Sequence, residues 1–322
     1  MNSYTAETLI DYIRDQAAIP DTGALGFTDA DILEKINSEM MGEVVPQIMA
    51  KREEFFVVTE EMTITSNQTR YRIPERASGG RLRDLELVVD SVRTQLDHIG
   101  RTERRRYPAL GNGLPSAFFI EGQYIVLVPD VGSSTDGTLE VSYFFRPGDL
   151  VLSTETRIVS TVDTATKTVT LTANIPSGWT TANTFDVHSA WSGSEVKEWK
   201  LTASSVATNI LTFTTEIDGS VAGRHPIEAG DYVCLNDEAA LPGIPVEAQP
   251  LLAQAVIAKI LEGQGDTEGL QLAAAKLQRQ SKNLTTIIGG DGRVEGRPKI
   301  IRTHNSPIMR RKHYFPFRYR GY

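Results

Sequence analysis

Histidine and cysteine are the side chains that most often bind transition metals or act as nucleophiles, and this chain of 322 residues has few of them. The histidines are His98, His188, His225, His304 and His313. They show no His-x-x-x-His spacing and have no cysteine partner, so they lack the ligand density of a zinc site. The single cysteine, Cys234, lies in a strand-like segment and is a poor candidate for a catalytic thiol. We therefore predict no metal site and no cofactor.

One aspartate has a sequence context that could indicate catalysis. Asp21-Thr22-Gly23-Ala24 is similar to the aspartic-protease signature, and Ile287-Ile288-Gly289 to the apolar element that accompanies it. That chemistry needs an aspartate on a turn between strands, paired with a second carboxylate. Asp21 instead follows Pro20 between two predicted helices, which favours a simple turn. The chain also lacks a phosphate-binding Gly-rich loop and a Gly-x-Ser-x-Gly elbow, so we predict no catalytic residues.

The segment from Arg293 to Tyr322, called the arm below, has nine Lys or Arg and one acidic residue, Glu295. Because the whole chain sums to −8, the arm's net charge of +8 leaves residues 1–292 with −16. Its last nine residues include five aromatics: Tyr314, Phe315, Phe317, Tyr319 and Tyr322. Prolines at 298, 307 and 316 favour an extended chain that cannot bury a core of its own. We expect a partner to order the arm.

Two kinds of partner fit the arm's composition. Nine cations could neutralise phosphates, and the aromatic residues could stack on single-stranded bases. Arginine and aromatic residues are also the types that dominate protein-protein hot spots. The acidic charge of residues 1–292 would repel nucleic acid, so a protein partner is favoured.

A second basic cluster lies in a predicted loop and comprises Arg101, Arg104, Arg105 and Arg106. It could be a nucleic-acid patch, but a solvated loop or a protein contact is favoured because the surrounding region is acidic.

Apolar spacing predicts four helices, two at each end of the chain. The first covers residues 5–18, and the second begins at Thr28, three residues before Asp31 as in a capping box, and runs to Ile48 with a bend at Pro46. After Pro245, one apolar stripe contains Leu252, Val256 and Ile260. A second stripe contains Leu270, Ala273, Leu277 and Leu284. The simplest fold is one helical domain made from both ends.

The middle of the chain has the period of β-strands. Residues 55–145 contain short alternating runs, of which Leu139, Val141, Tyr143 and Phe145 form the clearest, and predict an antiparallel sheet or sandwich. Residues 151–235 are rich in Thr and repeat themselves, since 166–175 aligns with 208–217 at an offset of 42. Such a duplication predicts a small pseudo-symmetric barrel, inserted as a domain.

No apolar run approaches 18 residues, and the first residues, MNSYTAETLIDYIRD, lack the pattern of a signal peptide. We therefore expect a protein that is made in the cytosol and has no membrane partner.

This layout resembles the head-to-tail adaptor, or neck, proteins of tailed bacteriophages. The likeness lies in the N-terminal helix pair ending in IMAKREEFFVV (48–58), the β insertion, the helix pair at 244–285 and the segment GRPKII (296–301). The resemblance implies a ring, usually twelve-fold, beneath the portal, with the arm in grooves between portal subunits. It thereby identifies an anchor. The anchor residues are Arg310, Arg311, Lys312, Tyr314, Phe315, Phe317, Arg318 and Tyr319.

The sequence therefore predicts an α+β fold: a helical bundle from both chain ends, inserted β-sandwich or β-barrel domains, and an extended C-terminal arm. The expected divisions are 1–54 and 239–290 (helical), 55–148 (antiparallel β), 149–238 (Thr-rich β) and 291–322 (arm). The expected function is a structural, non-enzymatic virion protein at the head-tail junction, assembled in the host cytoplasm. Its expected partners are the portal ring, a downstream neck or tail protein, copies of itself, and double-stranded DNA that passes without specific binding.

The alternative is a tail or baseplate module whose Thr-rich domain contacts host glycans or a neighbouring ring. Exposed tryptophans lining one groove, from among Trp179, Trp191 and Trp199, would favour that alternative, whereas their size favours a place in the core.

Overall fold

The structure is a computed structural model that describes residues 4–19, 27–106, 114–129, 131, 137–190, 195–220 and 223–289. It contains five α-helices and sixteen strands in these residues, so the predicted mixed α+β class is confirmed. Among the described helices, none combines the length and the apolar character needed to span a bilayer.

The N-terminal helices are α1 (Ala6–Gln16), α2 (Asp29–Glu39) and α3 (Val45–Met49). The capping box at the start of α2 is confirmed: the Asp31 amide donates to the Thr28 hydroxyl at 3.2 Å, and the Thr28 amide donates to the Asp31 carboxylate at 2.8 Å. These bonds satisfy two backbone N–H groups that a helix start leaves unpaired.

The predicted continuous helix to Ile48 is wrong in its middle. Residues Met40–Val44 form a π-helical turn between α2 and α3, and Pro46 lies in the first turn of α3. Proline has no N–H to donate and its ring excludes the carbonyl four residues earlier, so the distortion begins before the proline. Met40, Val44 and Ile48 nevertheless remain buried.

The C-terminal helices are α4 (Gln249–Gln264) and α5 (Thr267–Ile288). Gly265, at φ +74°, ends α4 in the left-handed conformation, and the Asp266 carboxylate accepts from the Gly269 amide at the start of α5. Leu252, Val256 and Ile260 are fully buried as predicted, and Ala273 and Leu284 are the buried residues of α5.

Helices from both ends of the chain share one hydrophobic cluster. It joins Ile10 and Ile13 of α1, Ile32 and Ile36 of α2, and most of the apolar residues of α4. Helix α4 is buried on nearly every side, since residues 251–257 are all buried or nearly so. It therefore forms the centre of the cluster, against which α1, α2 and α5 pack.

Two four-stranded sheets follow. Their strands are β1 (Val57–Ile64), β2 (Arg70–Arg72), β3 (Ala77–Val89), β4 (Val92–Gln95), β5 (Asp97–His98), β6 (Ala117–Glu121), β7 (Tyr124–Val128) and β8 (Gly137–Phe145). The orders are β1-β8-β3-β4 and β2-β7-β6-β5, antiparallel except for the short parallel pair β5–β6. Leu139, Val141, Tyr143 and Phe145 point into a core shared with β2, β6 and β7. The predicted antiparallel sandwich is thus present.

The Thr-rich region forms a closed six-stranded barrel. After the two-residue strand β9 (Asp149–Leu150), its strands are β10 (Arg157–Asp163), β11 (Thr168–Leu171), β12 (Thr184–His188), β13 (Val196–Ala207), β14 (Ile210–Phe213) and β15 (Tyr232–Leu235). The order around the barrel is β10-β11-β14-β13-β12-β15. If β10, β11 and β12 are exchanged with β13, β14 and β15, every strand keeps equivalent neighbours. The duplication in sequence thus appears as a two-fold symmetry of the strand order.

The two ends of the barrel region meet beside the helices. Strand β9 pairs in parallel with β16 (Glu238–Ala239), and the Asn37 side chain of α2 makes two hydrogen bonds to the Leu150 backbone, at 3.0 and 2.8 Å. Leu150 itself belongs to the helical cluster. The chain thus leaves and re-enters the helical region at one place.

Candidate docking surfaces

The predicted anchor in the arm, Arg310 to Tyr319, lies outside the described residues, as do Asp21, Trp191, His304 and His313. The surfaces that can be described belong to the helices, the sandwich and the barrel.

Helix α5 carries the chain toward the arm. Only its Ala273 and Leu284 are fully buried, while Lys276, Arg279 and Lys282 are exposed. Near its end, the Ser281 hydroxyl donates to the Gln47 side chain of α3 at 3.0 Å, and Ile288 packs against the helical cluster. Helix α5 therefore contacts α3 about two turns before its end at Ile288.

A groove of about 830 Å³ separates α3 from the sandwich. Its lining combines apolar side chains with charged ones, of which most are cationic. The lining includes Met41, Val45, Pro46, Met49, Ala50 and Pro147, and the charged residues are Lys51, Glu53, Arg81 and Arg146. Methionine side chains are unbranched and adaptable, and they suit a surface that accepts an apolar segment.

Two backbone irregularities shape this groove. The π-helical turn places Met41 on one side of the groove. On the other side, Gly79 and Gly80, both at positive φ, introduce an irregularity into β3. The bulged strand directs Arg81 over the Phe144 ring, with 4.4 Å between guanidinium and ring centroid. A bend at Pro46 was predicted, but its form as a π-helical turn was not, and the bulge at Gly79-Gly80 was not predicted either.

A buried ion cluster joins the sandwich to the barrel. Arg76, the residue before β3, donates to the Asp186 carboxylate of β12 at 2.5 Å and lies 3.0 Å from the carboxylate of Asp237. It also donates twice to the Arg146 carbonyl, at 3.1 and 3.0 Å, and stacks on Phe145. Arg76 and Asp186 are 4% and 0% exposed, so this pair needs its full set of partners. Sequence reasoning missed it, because its members are 110 residues apart.

A second buried carboxylate lies beside this junction. Glu198 of β13 is 3.3 Å from the Arg224 guanidinium, which stacks on Trp199 at 3.4 Å from the ring centroid. Burial raises the pKa of Glu198 to about 7, since the loss of hydration outweighs the attraction of Arg224. Its Oε1 has no hydrogen-bond partner among the described residues.

The arginine cluster is a 3₁₀ turn, Arg101–Arg106, rather than the predicted loop. Arg101 lies 3.1 Å from Glu121, and Arg104 stacks over Phe119 of β6 at 5.8 Å. Two described members of the cluster therefore contact their own sheet, and the favoured solvated loop or protein contact stays a prediction.

The candidate catalytic residues are not gathered into a site in the described part of the chain. Cys234 is buried, and burial raises the pKa of its thiol well above the usual value. His188 is buried too, with Nε2 2.9 Å from the Glu238 carbonyl, and burial lowers its pKa. Ile287 and Ile288 end helix α5 instead of forming a strand. No group of three or more potential metal ligands occurs in the residues described.

Two of the three tryptophans are in cores. Trp179 is 6% exposed and packs in the barrel, while Trp199 is 2% exposed and packs in the sandwich core. Core placement is thus confirmed for both.

Comparison with models of protein families gave a match. A family model described as SU10 adaptor protein matches residues 4–182, more than half of the chain. The matched part holds α1 to α3, the sandwich and barrel strands β10 and β11, but not α4 and α5, on which the resemblance in sequence partly rested. No curated protein matches the chain.

Proposed function

The chain belongs to the SU10 adaptor protein family, and from this we propose that it is a head-to-tail adaptor forming a ring beneath the portal of a tailed bacteriophage. Family membership itself establishes a structural phage adaptor and a place in the virion. The match over residues 4–182 is the observation that carries the proposal.

In the proposed ring, the arm docks on the portal. Its cations and aromatic side chains are suited to a protein groove, because such residues dominate binding hot spots. The proposed contacts are Arg310, Arg311, Lys312, Tyr314, Phe315, Phe317, Arg318 and Tyr319. A segment that orders on docking couples its folding to assembly, and repetition around a ring, usually twelve-fold in adaptors, multiplies a modest affinity per arm.

The acidic remainder of the chain suits the proposed passage of DNA. Residues 1–292 carry −16, and a negative surface along a channel would repel phosphates so that DNA slides without sticking. The opposite end of the ring would receive the downstream neck or tail protein.

We further propose that the units are those expected from the sequence: a helical domain from 1–54 and 239–290, a sandwich at 55–148, an inserted barrel at 149–238 and the arm at 291–322. The shared cluster of α1, α2 and α4 supports the first, and the closed barrel supports the third.

Mass photometry of the protein with a purified portal ring tests the proposal. The full chain should add a ring's worth of mass to the portal. A variant with Phe315→Ala and Phe317→Ala should add no mass to the portal, because it loses two aromatic contacts. A chain that ends at Gly292 should also add none. Leu272→Ala, which truncates an exposed leucine of α5, serves as the control. Binding by all variants would move the interface to the helices and sandwich, and binding by none would reject the adaptor.

The alternative, a barrel that binds glycans, lacks support from the aromatic residues described. Trp179 and Trp199 are buried, so neither can stack on a sugar.

A further inference from the structure

The groove between α3 and the sandwich, defined above, has no covering segment among the described residues. We propose that it holds the proximal part of the arm, residues 294–301, of the same chain. This inference deepens the proposed function, because it would leave only the distal arm free to reach the portal.

The position of Gly289 supports this occupant. Helix α5 contacts α3 through Ser281 and Gln47, and Gln47 directly follows the groove residue Pro46. An extended chain spans at most about 3.3–3.6 Å per residue, so Val294 can reach about 16–18 Å from Gly289 and Ile301 about 40 Å. The contact at Ser281 lies eight residues, about 12 Å of helix, before Gly289, and a helix is about 10–12 Å wide, so the reach of Ile301 covers the path back to α3.

The chemistry of the segment fits the groove. Residues 294–301 read VEGRPKII, and the apolar members Val294, Ile300 and Ile301 suit the apolar lining residues Met41, Val45 and Met49. The arm's only carboxylate, Glu295, belongs to this segment, and three cations line the groove: Lys51, Arg81 and Arg146. Glu53 of the groove already lies 3.8 Å from Arg81, so in this proposal Arg297 and Lys299 extend into solvent. Pro298 favours the extended conformation that a groove accepts.

The same chain is the favoured source of the segment. A tether of a few residues gives an effective concentration in the millimolar range, above that of a second copy in solution. Docking in cis would also hold the start of the arm in one place, so that Arg310 to Tyr319 begin from a defined point.

Cysteine crosslinking of the full chain tests the proposal. Ala50→Cys places a thiol in the groove, Ile300→Cys places one in the segment, and the native Cys234 is buried and does not compete. A short bismaleimide should join the pair within one chain at least about tenfold faster than it joins Ile300→Cys to Gln278→Cys, because docking raises the local thiol concentration. Gln278 is an exposed residue of α5 outside the groove.

Each outcome decides the question. A faster internal crosslink supports docking in cis. Crosslinked dimers would overturn it in favour of the arm of a second copy, and equal rates for the two pairs would reject the groove as the site.

A second measurement avoids cysteines. Ile300→Asp with Ile301→Asp should increase hydrogen exchange of the amides in residues 41–50 several-fold, whereas Ile287→Asp, at an exposed isoleucine of α5, should not. Unchanged exchange in both would contradict the proposal. Both experiments use the protein without portal, so failure to bind portal and failure of the groove are seen separately.

Discussion

The carboxyl group of Glu198 is buried in surroundings that disfavour its charged form. Its pKa is raised to about 7 from the usual 4.5, so the protonated form is favoured in the folded state. Protonated Glu198 therefore contributes to the free energy of unfolding. This contribution is fully present below pH 4.5 and is lost as the pH rises through about 7. A shift of this size corresponds to at most about 3–4 kcal/mol.

We therefore expect Glu198→Gln to remove part of the fall in unfolding free energy between pH 5 and pH 8. Urea unfolding at pH 5 and pH 8 measures this change in unfolding free energy. Glu61→Gln, at an exposed position of β1, is the control. The same pH dependence in both variants would contradict the assignment.

Gly223 is held at φ +77° against the edge of the sandwich, and an added Cβ would lie 2.2 Å from the Thr59 carbonyl oxygen. Gly223→Ala should therefore cost more than the roughly 1–2 kcal/mol of left-handed backbone alone. Gly122 is the matched control, since it has φ +62° and no atom within 4 Å of its Cβ. Thermal and urea unfolding of the two alanine variants compare them, and equal losses would show that the loop moves away freely.

At this scale the sequence predicts what depends on residue type alone. The burial of Trp179 and Trp199 follows from size and apolar surface, and the inert character of Cys234 from its strand context. The environment of Glu198 could not be predicted, because it depends on Arg224 and on the approach of the barrel to the sandwich.

Among the elements, α2 owes its start to one side chain. Thr28→Ala removes the acceptor for the Asp31 amide and should cost about 1 kcal/mol of stability. Thr28→Ser keeps the hydroxyl and should cost much less. The difference in urea midpoint between the two variants measures the cap, and identical midpoints would mean that packing of Ile32 and Ile36 alone sets the helix start.

The elements show where local pattern is sufficient. Helical period and capping residues predict α1, α2, α4 and α5, and the 42-residue offset predicts the equivalence of β11 and β14. The π-helical turn was missed because period alone cannot show how a helix accommodates Pro46. The order of strands around the barrel is likewise a property of pairing, which alternation does not encode.

For the whole molecule, Arg76 is one of the residues that link the sandwich to the barrel. Arg76→Met leaves the carboxylate of Asp186 buried without its partner and should cost about 3–5 kcal/mol. Adding Asp186→Asn removes the unpaired negative charge while keeping a hydrogen-bond acceptor. The double variant should therefore regain much of the lost stability. Unfolding followed by tryptophan fluorescence measures all three proteins. A double variant less stable than the single one would show that Asp186 has another essential role.

The candidate site was only partly predictable. The composition of the arm identifies it as a docking element, but the groove is built by residues from 41–53, 78–81 and 146–147, which only the fold brings together.

The central position of α4 also has a consequence in time. The ribosome completes α2 at Glu39, and α4 begins 210 residues later at Gln249. At about 5–20 residues per second, the gap lasts roughly 10–40 s, during which the sandwich and barrel can fold but the first helices lack their packing partner. During that interval α4 does not yet cover Ile32, Ile36 and Met40. Nascent chains are therefore the form of this protein most in need of a chaperone.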